Sequence, residues 1–199
     1  MRDLLGTDFR RRRGVEEATR RGLQWFVMPV WIGAGVVDWW CHRRSDIEHT
    51  AGATESAIHS TMLVETAVPT LLGLFCETDA GTLAVTYSAL ALHEASGLWD
   101  VAYADGRREV TPFEQYVHGF LGRVPMMATF LLTVLHWDQA QAAVRLRGRP
   151  DWRIKPKRQR LSRAYRASIV AATGALGSLY AEELARCVRA ARSSAGAAG

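Results

Sequence analysis

Histidines and carboxylates recur in this chain at intervals that place them on common helical faces. Asp38 and His42 are four residues apart, as are Glu55 and His59 and again Glu114 and His118, while His93 and Asp100 are seven apart. On an α-helix, residues four or seven apart project from one side, so each pair aims in a single direction. Mixed imidazole and carboxylate donors suit iron, manganese and zinc, and a carboxylate can bridge two ions. The chemistry expected is a centre of two metal ions, with iron favoured and zinc or manganese as alternatives. A single such pair is ordinarily a surface ion pair or a capped helix end; convergence of all four is what turns the pattern into a site.

Other residues take supporting parts in this reading. His49, in the link that follows the first pair, joins the metal candidates beside Glu48. Glu65 and Glu94 are candidate catalytic carboxylates, able to act as base, to bridge ions or to orient a ring nitrogen that does not touch metal. Arg107 and Arg108 are candidates for holding an anionic headgroup or substrate.

Convergence requires particular elements. Four apolar stretches, about 23–41, 55–76, 80–99 and 118–137, each approach the ~20 residues that cross a bilayer core. Each also carries ionisable groups, which cost at least ~2.5–3.5 kcal/mol inside a membrane helix and so normally face a partner or cavity. Tryptophans 25, 31, 39, 40, 99 and 137 lie mostly near the stretch ends, as an interfacial belt would place them. In an up-and-down bundle, the end of the first helix, the start of the second, the end of the third and the start of the fourth share one rim. All four pairs fall there, whereas His136 falls at the opposite end.

The links fit that topology. Glu77-Thr78-Asp79 is short enough to make the second and third helices antiparallel neighbours. Thr111-Pro112-Phe113-Glu114 reads as a helix start, with threonine as N-cap and proline at the first position. Residues 161–192 carry Tyr165, Ile169, Ala172, Leu176, Leu179, Leu184 and Val188 at roughly helical spacing, which predicts an amphipathic helix on the membrane surface or against the bundle. The expected fold is therefore all-α: a basic lead-in over 1–21, a four-helix, transmembrane, up-down bundle over 22–137, and a basic tail with an amphipathic helix over 138–199.

Charge and cysteine content narrow the function. The chain has 199 residues, a net charge of +5 and three cysteines, Cys41, Cys76 and Cys187, far apart and without zinc-knuckle or CxxC spacing. Of its 25 basic residues, seven precede residue 22 and thirteen follow residue 138, which is how cytoplasmic flanks of membrane helices are charged and unlike a nucleic-acid-binding face. The expected location is a bacterial inner membrane with both termini cytoplasmic, and the rim on the outer side. Glycine-rich phosphate loops, a GxSxG elbow, an HExxH helix and the ferritin-like glutamate-histidine spacing of three are all absent from the sequence.

The run WCHRRSDIEHTAGATESAIHSTMLVETAVP, followed by HEASGLWDVAYADGRREVTPFEQYVH, resembles a group of small, largely uncharacterised bacterial helical membrane proteins, with a weaker echo in LYAEELARC. Some members carry an automatic diguanylate cyclase label, but this chain has no GGDEF-type loop. Its plan is also similar to that of membrane non-heme di-iron hydroxylases and desaturases, although their several-histidine boxes are not matched. The expected function is a membrane non-heme di-metal oxidoreductase. The alternatives are a metal-dependent lipid or amide hydrolase, or a metal-binding membrane protein without turnover. Expected partners are membrane lipid and a lipid-like or quinone-like small molecule, with self-association open and nucleic acid excluded.

Overall fold

A computed structural model describes residues 9–197 of the chain; the first eight residues of the basic lead-in lie outside it. The protein is all-helical, with 81% of residues in helices and no strand among those described. Seven helices follow in order: α1 Phe9–Gly22, α2 Met28–Arg44, α3 Gly52–Phe75, α4 Ala80–Ala104, α5 Pro112–Leu135, α6 Trp137–Ala143 and α7 Arg163–Ala197. The expected apolar stretches fall on α2 to α5, but the helices at the rim run further into polar sequence than the apolar runs do. Those added turns carry the histidine and carboxylate pairs.

Between α1 and α2, the π-helical turn Leu23–Val27 keeps the chain helical, with Gly22 and Val27 both in right-handed helical conformation. Its position follows from Pro29, which has no N–H for the carbonyl of Trp25 and whose ring would collide with it. A wider turn relieves that conflict without breaking the rod. At two other starts side chains cap the helix, Thr111 as the sequence indicates and Asp79 in addition. The Asp79 carboxylate accepts from Thr82 N (3.0 Å) at the head of α4, and the Thr111 hydroxyl accepts from Glu114 N (3.2 Å) at the head of α5.

Five long helices pack in a closed ring: α3 lies on α4, α4 on α5, α5 on α2, α2 on α7, and α7 on α3. The C-terminal helix thus packs against the bundle and completes it as a fifth wall. It buries Tyr165, Ile169, Leu176, Tyr180, Glu183 and Cys187, one stripe at spacings of three, four and seven. It runs parallel to α2. Tyr165 Oη bonds the carbonyl of Gln24, Tyr180 Oη that of Gly35, and Arg186 pairs with Glu48 beyond the end of α2. The last turns of α7 therefore lie at the rim while α1 lies at the far end, which departs from the expectation that both termini share one side.

Helices α3 and α5 are long and apolar enough to cross a membrane, and only 22% of the most apolar window of each is buried within the molecule. Val64, Val68 and Leu71 on α3, and Phe130 and Val134 on α5, face outward. The paired rim residues Asp38, His42, Glu55, His59, Asp100 and Glu114, by contrast, are buried.

Residues 144–162 tie the far end together. Glu77 N donates to Lys155 O and Lys157 N to Phe75 O, both at 2.8 Å, and Gly81 N donates to Asp151 O at 3.1 Å. Residue 81 must be glycine here, because a Cβ would overlap the Trp152 carbonyl, which is backbone and has no rotamer to retreat into. Gly81→Ala is expected to destabilise the protein by about 1–3 kcal/mol. Its thermal midpoint in detergent would fall accordingly, whereas Gly33→Ala, where a Cβ meets open space, would leave it within error.

Candidate metal centre

Each rim pair reaches the bundle interior because its helix turns that face inward. α2 supplies Asp38 and His42, α3 Glu55 and His59, α4 Asp100, and α5 Glu114 and His118. All except His118 are buried; its side chain keeps 24% of its surface exposed, so the site is reachable from that side. Arg108, from the link between α4 and α5, and Tyr180 and Glu183, from α7, complete the cluster.

Two groups of donors form around the buried rings of His42 and His59. His42 Nε2 stands 3.5 Å from both Asp38 Oδ2 and Glu114 Oε1, and His118 Nε2 stands 2.8 Å from Asp38 Oδ1. His59 Nε2 stands 2.9 Å from Asp100 Oδ1 and 3.9 Å from Glu55 Oε1. The His42 and His59 rings lie nearly parallel, 4.4 Å apart, so the groups are adjacent. Asp38, His42 and His118 can offer one donor atom each within 4.8 Å of one another, and so can Glu55, His59 and Asp100.

Glu183 sits behind both rings. Its Oε2 is 3.0 Å from His42 Nδ1 and its Oε1 3.8 Å from His59 Nδ1. The carboxylate thus bonds His42 by one ring nitrogen and leaves the other free to ligate, the usual arrangement behind metal-bound histidine, and it lies beside the His59 ring without bonding it. Tyr180, one turn before Glu183 on α7, donates to Asp38 Oδ2 at 3.0 Å.

Apart from His42 Nδ1 with Glu183 and Tyr180 with Asp38, these short distances lack hydrogen-bond geometry. Asp38 Oδ1, Glu55 Oε2, Asp100 Oδ1, Glu114 Oε1, His42 Nε2 and His59 Nε2 are all buried without a partner of hydrogen-bond geometry. Buried polar atoms rarely go unsatisfied. Here Asp38, His42 and His118, and likewise Glu55, His59 and Asp100, lie close enough together to face a common ion.

Arg108 is the one guanidinium buried with them. Its Nη2 lies 2.6 Å from Glu55 Oε1 and 2.7 Å from Glu114 Oε1. Burial works against its charge, but these two carboxylates outweigh burial and hold the guanidinium above the ordinary arginine range. The substrate-gripping part expected of Arg108 is corrected accordingly: it is spent on two site carboxylates. Arg107 is exposed, its guanidinium over the Tyr103 ring at 4.1 Å.

Four other expected residues lie elsewhere. His93 is on the correct face of α4, but seven residues are two turns, about 10 Å of helix. It lies deeper, with Nδ1 3.7 Å from Glu65 Oε2 and Nε2 3.2 Å from the Leu121 carbonyl. Glu65 accepts from Ser96 Oγ at 2.8 Å and belongs to that second, smaller cluster. Glu94, one position on from His93, turns outward and is exposed. His49 is exposed as well, because the tight turn Ile47–His49 buries Ile47 and carries the residue two positions later away from the interior.

Glu183 is the site residue the sequence reading missed. Its signal lay in the spacing Leu176, Tyr180, Glu183, Cys187, an acidic residue on the apolar stripe of α7. No family model, curated protein or solved structure matches the chain.

Removing the single buried cation tests the electrostatics. Arg108→Met leaves Glu55 and Glu114 without a counter-charge and is expected to cost about 3–5 kcal/mol. Thermal unfolding in detergent with a chelator present measures it. An unchanged midpoint would show that these carboxylates do not depend on Arg108.

Proposed function

We propose that the rim cluster holds two divalent transition-metal ions, iron by preference, in a membrane-embedded oxidoreductase. The observation that carries this reading is charge. Asp38, Glu55, Asp100, Glu114 and Glu183 are each at most 5% exposed, and Arg108 alone is buried among them as a permanent cation. Ionised, the set is four charges negative, a burden no low-dielectric interior sustains. Two divalent cations neutralise it, whereas protonating His42, His59 and His118 would leave one charge over and consume the nitrogens best placed to ligate.

The donors divide between two positions. Asp38, His42, Glu114 and His118 surround one; Glu55, His59 and Asp100 surround the other; and Glu183 bonds the His42 ring and lies beside that of His59. Oxygen and imidazole donors without thiolate favour iron or manganese, with zinc as a competitor.

Membrane embedding is supported by the apolar outer faces of α3 and α5 and by the low fraction of them that is buried. Six basic residues on α1 and ten between positions 144 and 167 belong to the end opposite the cluster. On the usual charge bias that end is cytoplasmic and the metal end faces outward. Electrons would then come from a donor dissolved in the membrane, of the quinol class.

Elemental analysis of protein purified in detergent decides the central point. Two iron ions per chain are expected; zinc would move the reading to metal-assisted hydrolysis, and protein that holds no metal even after reconstitution would remove it. His42→Ala, His59→Ala and His118→Ala are each expected to lose metal, while His49→Ala, His93→Ala and His136→Ala retain it. Glu183→Ala, which removes the ring-orienting carboxylate, should weaken metal affinity by about 10- to 100-fold, read by competition with a chromophoric chelator. Equal retention in all variants would refute the site.

A further inference from the structure

An apolar cavity of about 190 Å³ runs through the far half of the bundle, walled by side chains such as Val27, Leu74, Leu90, Val124 and Ile169. Trp31, Thr66 and His93 line its inner end and also line a second cavity of about 40 Å³, whose walls include Asp38, His59 and Tyr180. The two voids thus share three wall residues that form a waist between them, and the second lies against Asp38 and His59 of the cluster. A path from the far end of the bundle to the candidate ligands would pass between these three side chains.

The outer end of this path is basic. Arg20, His136 and Lys157 line it. Arg20 is paired with Glu16 (2.8 Å), but Lys157 has no carboxylate within ion-pair distance among the described residues, its ammonium resting instead on the Gly73 carbonyl. Glu77 is the nearest acidic influence, and its Oε1 accepts from Arg158 N at 2.6 Å. Burial holds the Lys157 amine below the ordinary lysine range, Glu77 opposing the shift and Arg20 reinforcing it. An arriving anion would meet a half-buried, uncompensated ammonium at the mouth of an otherwise apolar tunnel.

Resting on the di-metal reading, we infer that this path binds a single-chain anionic amphiphile of the long-chain fatty acid class, its carboxylate at Lys157 and its hydrocarbon directed through the Trp31, Thr66 and His93 waist toward the metals. Length agrees. From Gly73, where Lys157 sits, to His59 is fourteen residues of α3, about 21 Å of helix, the reach of a long extended acyl chain. Apolar walls bury the tail, which is the main source of affinity in such pockets. The charged mouth fixes which end enters first. A hydrocarbon segment presents no ester or amide to a metal-bound water, so this occupant also favours oxidative over hydrolytic chemistry at the cluster.

The test uses the full chain in nanodiscs of neutral phosphatidylcholine, with radiolabelled palmitate as the probe. Saturable binding is expected with and without chelator, so a loss of metal and a loss of lipid binding can be told apart. Lys157→Glu should weaken binding at least tenfold, and Ala89→Phe, which fills the cavity, should abolish it while metal content stays at the wild-type level. In metal-loaded protein, a nitroxide near the methyl end of stearate should relax faster than one near the carboxyl end. Three results would overturn the inference: no saturable palmitate binding, equal binding of a cationic hexadecyl amphiphile, or displacement by a neutral quinone that Lys157→Glu does not affect.

Discussion

Five buried carboxylates gather at one end of the bundle around a single buried guanidinium, and three imidazoles stand among them. Charges of one sign do not assemble in an apolar interior unless something of the other sign holds them. Arg108 answers for only two of them, Glu55 and Glu114. Asp38, Asp100 and Glu183 face imidazoles whose free nitrogens converge with them. At the rim the helices bury ionisable side chains, while α3 and α5 leave apolar ones such as Val64 and Phe130 exposed.

Much of the site is legible in the sequence because helical geometry is local. Asp38 with His42, Glu55 with His59, and Glu114 with His118 need only a spacing of four and an alternating topology to be placed together, and the structure brings them together. The same reasoning fails for His93, where sharing a face says nothing about depth, and for His49, where a tight turn replaces the helix that the spacing assumes. Glu183 was harder to find, since it sits more than 120 residues from His59 and nothing local ties the two. Only the observation that an acid occupies the apolar stripe of α7 could have flagged it, and the charged residues on the opposite face of that helix obscure the stripe.

The fold shows the same division. Helix boundaries at the N-caps Asp79 and Thr111 follow from side chains within three residues. The ring closure by α7 follows from matching surfaces far apart in sequence, which periodicity alone does not reveal. Pro29 lies between these cases: its missing N–H predicts a disturbance, while the structure shows that the helix absorbs it as a π turn and continues.

Closure of the ring by the last helix also bears on biogenesis. Four walls of the bundle emerge from the ribosome before Glu183 and Tyr180 are synthesised, and until α7 docks, the groove between α2 and α3 stands open beside His42 and His59. Once the final helix seats, that groove is covered by Leu176, Tyr180 and Cys187, so the set of buried side chains at the rim is complete only at the last stage of assembly.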